Sequence, residues 1–148
     1  MKMIFISLAA VATTLVACGQ DIPASKVPSV VQNTVTGKFT HIKDIDWEKK
    51  KNFYEAEFDL EGVEYKAQVA PNGSLLVVMK DIIAANLPQP VTDAIRRDYA
   101  EYSIDEVQQV ERNGAVYYQV ELEKRKAKDI QLAYSADGAV AKDFTYIN

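Results

Sequence analysis

The run Tyr54-Glu55-Ala56-Glu57-Phe58-Asp59-Leu60-Glu61 alternates between apolar and acidic residues. Side chains of an extended strand point alternately to opposite faces, so this period of two predicts a half-buried strand with one apolar and one acidic face. Glu61-Gly62 then supplies a two-residue hairpin turn, which sets Phe58 opposite Tyr65 and Glu57 opposite Lys66. An aromatic pair would lie inside and an ion pair outside, so register and chemistry agree. Beyond Tyr65, Ala67 and Val69, the Pro71-Asn72-Gly73 loop reads as a type I turn closed by a left-handed glycine. It returns a strand with Leu75, Val77 and Met79 on the inner face, although Leu76 and Val78 are apolar too and leave that parity open.

Upstream, Val27, Val31, Val35 and Phe39 are apolar at every fourth position, the stripe of a short helix, and Pro28 suits its first turn. The same stripe recurs 60 residues later as Leu87, Val91, Ile95 and Tyr99, with Pro88 in the place of Pro28. Tyr54, Ala56 and Phe58 recur as Tyr118, Val120 and Leu122, and Asn72-Gly73 as Asp137-Gly138. In the second half Val116, Tyr118, Val120 and Leu122 face inward, followed by Ile130, Leu132 and Tyr134, and then by a last strand through Phe144. A first strand runs through Ile45 and Trp47 in one half and through Ile104 and Val107 in the other. The fold expected is α+β: two tandem repeats, each a helix followed by about four antiparallel strands, with the helices on one face of the sheet.

The full chain has 148 residues, 48% of them hydrophobic and 26% charged, with a net charge of −4. That composition excludes a large multidomain enzyme, a disordered chain and a multispan membrane protein. Met1-Lys2-Met3 followed by the apolar run from Ile4 to Val16 reads as a signal peptide, too short to span a bilayer. The run ends Leu15-Val16-Ala17-Cys18, which resembles a bacterial lipobox, so Cys18 is expected to carry lipid; the alternative is a buried or free thiol in a secreted chain. The segments expected are a signal peptide over 1–17, a lipidated tether over 18–26, and repeats over 27–86 and 87–148. With one cysteine there is no intramolecular disulfide, and stability must come from packing. The basic runs Lys49-Lys50-Lys51 and Lys124-Arg125-Lys126 fall in turns and form no continuous face, so nucleic acid is not an expected partner.

The outer strand faces carry the candidate site. Glu55, Glu57 and Asp59, with Lys66 and Gln68 across the sheet, and Tyr117, Gln119, Glu121 and Glu123 in the second half, form the expected partner-binding surface. Asp44, Asp46 and Glu48 add further acid. Such carboxylates could take Ca²⁺, but same-face strand residues stand about 6.5–7 Å apart and no Ca²⁺-loop spacing is present. They could act as a general acid and base only in a cleft that raises one pKa, and an open strand face provides none. No cofactor, metal ligand set or catalytic residue is expected, and the lone His41 has no nucleophile spaced around it. Tyr54, Tyr65, Tyr118 and Tyr134 read as core with hydroxyls at the sheet margin, and Trp47 as an inner residue not fully buried.

Taken together, Ile22-Pro23, Val27-Pro28, Asp44-Ile45-Asp46-Trp47-Glu48, Tyr54-Glu55-Ala56-Glu57-Phe58 and Asn72-Gly73, with the plan repeated from Leu87-Pro88, resemble the PepSY-like, beta-lactamase-inhibitor-like family of Bacteroidota-type secreted lipoproteins. The resemblance implies a fold like that of beta-lactamase inhibitory proteins, with a sheet face available to a partner. It transfers no active site. The reading is a non-enzymatic, membrane-tethered envelope lipoprotein that binds a protein or peptide, such as a peptidase or another hydrolase, as inhibitor or adaptor. Attachment is expected at the outer membrane, facing the periplasm, or at the cell surface. The alternative reading is a small-ligand or Ca²⁺-responsive periplasmic protein.

Overall fold

Eight strands form one antiparallel sheet in which spatial order follows chain order. The computed structural model describes residues 19–147. The strands are β1 (Gln20–Asp21), β2 (Asp46–Lys49), β3 (Tyr54–Leu60), β4 (Val63–Val69), β5 (Leu75–Asp81), β6 (Ser103–Arg112), β7 (Ala115–Glu123) and β8 (Ile130–Ser135). Helix α1 (Ser29–Lys38) connects β1 to β2, and α2 (Gln89–Asp98) connects β5 to β6. The architecture is the α+β arrangement expected, with both helices on one face. Among the described residues no helix is long and apolar enough to cross a membrane.

Each helix buries its predicted stripe. Val27, Val31 and Val35 join Trp47, Ala56, Phe58, Ala67 and Val69 in one core; Leu87, Val91, Ala94 and Ile95 join Val107, Val120, Leu122 and Tyr134 in a second. Helix α1 contains three valines, two threonines and a glycine, all weak helix formers, so its stability comes from this packing rather than from propensity. Pro28 and Pro88 sit one position ahead of the first turn, as N-caps, and their carbonyls accept from Val31 and Gln32 and from Val91 and Thr92. The predicted hairpin register holds: Phe58 faces Tyr65 with rings 5.7 Å apart and nearly parallel, and Phe39 closes the trio at 4.9 Å from Phe58.

Several local expectations are corrected. The repeating unit is strand, helix, three strands; it opens with β1 and again with β5, so Asp81-Ile82 matches Asp21-Ile22. Residues 20–26 are therefore part of the body rather than a tether, with β1 paired to β2 and the Ile22 N–H donating to the Trp47 carbonyl at 2.9 Å. Strand β5 takes the opposite parity from that drawn: Leu75 is across from Val69, yet Val77 is across from Gln68, so Leu76 is an extra residue. This bulge sends Val77 and Met79 to the face away from the helices and Val78 toward them. Asn113-Gly114, with φ of 53° and 75°, makes the tight β6–β7 hairpin, the left-handed pair that this dipeptide favours. The expected last strand through Phe144 is a single bridge, Tyr134 to Val140, after which the chain leaves the sheet edge. Trp47 is buried, at 5% exposure. The Tyr134 hydroxyl is not at a margin: it is buried with no hydrogen-bond partner among the described residues, and burial first, then Tyr99 and Asp98, push it up to about 12.

The turn after the outer strand of each unit docks on that unit's helix. The Thr34 hydroxyl of α1 reaches the Gly73 carbonyl at 2.7 Å, and Gly138 lies so close to α2 that a Cβ would stand 2.5 Å from the Pro90 carbonyl oxygen. Gly62, at φ +80°, has open space where its Cβ would be. Gly62→Ala is expected to cost about 1 kcal/mol through its left-handed backbone alone. Gly138→Ala, at φ +85°, should cost clearly more, because backbone atoms of Pro90 must also move. Urea unfolding midpoints compare the two, and equal costs would show that this turn does not press on α2.

Candidate functional site

Because the helices cover one face, alternation in β3, β4 and β7 delivers their polar residues to the other. The candidate residues Glu55, Glu57, Asp59, Lys66, Gln68, Tyr117, Gln119, Glu121 and Glu123 all belong to that open face, and the register brings them into two zones. In the first half, Glu57 is exposed and pairs with the half-buried Lys66 at 3.4 Å, and Asp59 is exposed opposite Glu64. In the second, the Gln131 amide donates to Glu121 at 2.9 Å, and Glu123 is exposed beside Ser103.

Three of the residues expected to be exposed are buried instead: Glu55 at 7%, Gln68 at 9% and Gln119 at 0%. Glu55 accepts from the Gln68 amide at 2.7 Å, and Lys50 folds back from the β2–β3 turn to within 3.6 Å of it while also pairing with Glu48. Those carboxylates, Glu48 first and then Glu55, hold the Lys50 ammonium above its usual value against the effect of burial. Tyr117 is half-buried under Phe144, with ring centroids 4.9 Å apart. The cover over this half is the segment after Val140: Phe144 and Ile147 pack on Val77, Met79, Val110 and Tyr117, forming a third apolar cluster away from the helices. Gln119 donates to the Gln108 carbonyl oxygen at 2.6 Å, and Gln108 donates to Asp81 at 3.0 Å, a polar ladder running through the middle of the face.

Two hollows are lined by residues of this face. One, of about 760 Å³, lies beside Tyr146 and Ile147 and is lined by Phe53, Glu55, Gln68, Leu76 and Arg112 among others. The other, of about 520 Å³, is acidic and lies at the β3–β4 hairpin end, where Asp44, Asp46, Glu57, Asp59, Glu61 and Glu64 meet His41 and Lys43. Among the described residues no three His, Cys, Asp or Glu side chains converge closely enough to hold a metal ion. Cys18 lies outside the described residues.

The charge of the face is felt by its own groups. Partial burial pulls the Lys66 ammonium down, but Glu57, Glu55 and Glu64 together raise it above its usual value. Glu64 is raised from the ordinary 4.5 by desolvation and then by Glu57 and Asp81, and Glu106 by desolvation and then by Asp81 and Glu121. Tyr146 is pushed up to about 12 by burial, with Glu106 and Glu121 adding to it.

A carboxyl whose pKa is raised by folding binds its proton more readily in the folded chain. Glu64 and Glu106 therefore weaken the fold at neutral pH, and that cost disappears as pH falls through their folded values toward 4.5. The double variant Glu64→Gln/Glu106→Gln is expected to melt at a higher temperature than the parent at pH 7, with the gap closing near pH 4. A gap that does not depend on pH would contradict this origin.

A model of the family described as putative beta-lactamase-inhibitor-like, PepSY-like matches the chain twice, over residues 14–77 and 65–142. No curated protein matches it. Among solved structures, a putative periplasmic protein of Bacteroides eggerthii superposes with a TM-score of 0.74 at 18% identity, covering 78% of this chain and 86% of its own. A DUF2874 family protein of Bacteroides uniformis gives 0.73 at 17% identity, with the same 78% and 86% coverage. A BLIP-like protein of Bacteroides fragilis gives 0.68 at 22% identity, covering 76% of this chain and 82% of that one. These likenesses establish the fold, and the paired matches span both of its repeats: the chain belongs to the PepSY-like, beta-lactamase-inhibitor-like family.

Proposed function

We propose that this protein is a non-enzymatic, lipid-anchored protein of the bacterial envelope that binds a protein or peptide partner through the open sheet face, as inhibitor or adaptor. The observation that carries the reading is the make-up of that face. An apolar centre of Val77, Met79, Val110 and Tyr117, covered by the chain's own Phe144 and Ile147, is bordered by exposed carboxylates of both halves, Glu57 and Asp59 on one side and Glu123 on the other. An apolar core inside a charged rim is the anatomy of a protein interface. The acidic rim selects a basic partner, and by long-range attraction it acts on association rate and specificity more than on final affinity. The family, described as putative beta-lactamase-inhibitor-like, and the B. eggerthii neighbour, described as a putative periplasmic protein, support the same role and place.

Burial decides which substitutions test the face. Reversing Glu55 would place a lysine ammonium beside Lys50 in a buried position and would report on folding. Glu57→Lys with Asp59→Lys alters exposed positions only. The immobilised domain from Cys18 to Asn148 is expected to retain an envelope protein from extracts of its own cells. The double variant should capture it several-fold more slowly at low salt and nearly equally at high salt, where charges are screened. Equal capture at both ionic strengths would remove the acidic rim from the mechanism, and no capture by either form would count against the partner reading.

Anchoring through Cys18, at the outer membrane facing the periplasm or at the cell surface, is part of the same proposal. Strand β1 begins at Gln20, so a lipid on Cys18 would hold the sheet edge within about 7 Å of its attachment point, given a reach of at most about 3.6 Å per residue. The native chain is expected to incorporate labelled fatty acid and to sediment with membranes until detergent is added. Cys18→Ala should do neither, and membrane retention of that variant would refute lipid anchoring at this residue.

A further inference from the structure

The open face already holds a peptide, the chain's own C-terminal segment. After the Tyr134–Val140 bridge the backbone turns, with the Phe144 N–H donating to the Ala141 carbonyl at 3.1 Å. It then lays Phe144 and Ile147 on the apolar patch of Val77, Met79 and Val110. At Ile147 the strongest contact is to backbone. Gln119 Nε2 donates to the Ile147 carbonyl at 2.7 Å, and the Ile147 N–H donates back to Gln119 Oε1 at 3.2 Å. The N–H and C=O of one residue are the pair that a neighbouring strand would satisfy, and a side-chain amide supplies the matching acceptor and donor.

The rest of the ladder holds that amide in its receiving orientation. An ionised Asp81 can only accept, so it takes the Gln108 Nε2 hydrogen, and Gln108 Oε1 is left to face Gln119. Gln119 then gives one Nε2 hydrogen to Gln108 and the other to the tail, with its Oε1 free for the Ile147 N–H. Full burial keeps water from competing for it. The recognition is of backbone at one position and of apolar side chains at two, which another segment with the same spacing and local backbone course can meet. Past the Val140 bridge the tail has no ladder pairing, so it is released at less cost than a strand.

We propose that the patch centred on Gln119 is a peptide-recognition site, occupied here by Phe144–Ile147 and taken by a partner peptide segment carrying an aromatic and an aliphatic residue three positions apart once the tail is displaced. The identity of a partner rests on the function proposed above; the site itself does not, because this chain's own sequence can probe it.

The probe is a fluorescent peptide of residues 142–148, Lys-Asp-Phe-Thr-Tyr-Ile-Asn, and the proteins are the full chain and its Phe144→Ser/Ile147→Ser variant. A tethered tail competes at high effective concentration, and the probe's apparent affinity falls by the fraction of patches left free. The variant is therefore expected to bind the probe about tenfold more tightly than the parent, corresponding to a tail docked about nine-tenths of the time. Adding Gln119→Leu should abolish most of that gain. Equal binding by parent and variant, or a gain that survives Gln119→Leu, overturns the proposal. If the serine variant does not fold, hydrogen exchange on the parent decides. The amides of 144–147 should exchange at least a hundredfold faster than those of β7, and exchange at the β7 rate would mean that the tail leaves only on global unfolding, which refutes displacement. Probe binding without capture of any envelope protein would leave the site standing and the partner reading failed.

Discussion

Both helices bury a valine- or isoleucine-bearing stripe into the same face of one sheet, and every other feature of the molecule answers to that one-sided burial. Eight antiparallel strands expose two faces, and two ten-residue helices can cover only one of them. The other face must come to terms with water, or with another layer, by its own means. Antiparallel sheets tolerate this because alternation separates the two sets of side chains cleanly, as strand β3 does with Ala56 and Phe58 on one side and Glu57 and Asp59 on the other.

The two halves meet that demand differently. In the first, exposed carboxylates stay hydrated, and Glu55, the one carboxylate buried among the described residues, is satisfied by Gln68 with Lys50 close by. In the second, the position equivalent to Glu55 is Gln119, a neutral amide that can be fully buried at lower cost, provided each of its polar atoms is paired. The bulge at Leu76 turns Val77 and Met79 onto this same face, creating an apolar patch beside the amide ladder. The C-terminal segment solves both problems together: Phe144 and Ile147 cover the patch, and the Ile147 backbone completes Gln119. A repeat that began as two similar units thus ends with one open acidic half and one half closed by a strap.

The recognition surface proposed above owes its make-up to that asymmetry. Partial desolvation, and then neighbouring carboxylates, raise the carboxyls of Glu64 in the first half and Glu106 in the second, and the carboxylate part of that cost is what a basic partner would relieve. The second half supplies desolvated apolar area and a fixed amide, the sort of element that anchors an interface core. The 760 Å³ hollow joins the two at the end of the strap, so an occupant of one half would extend naturally toward the other.

Local period and turn chemistry in the sequence were enough to determine the helical stripes, the register of the Phe58–Tyr65 hairpin, the repeat and the face to which each candidate residue belongs, because these depend on neighbours within a few positions. The same information shows toward which face a side chain points but not what lies over it. Alternation puts Glu55, Gln68 and Gln119 on the open face but does not show their burial, since Gln119 is covered by a residue 28 positions away and Glu55 by the return of Lys50 from a turn. The parity of β5 also escaped local reading, because five apolar residues from Leu75 to Met79 carry no alternation, and only pairing with β4 decides where the extra residue goes. Burial and the strap over Gln119 are settled by contacts between distant segments, whose free energy exists only once the sheet has assembled.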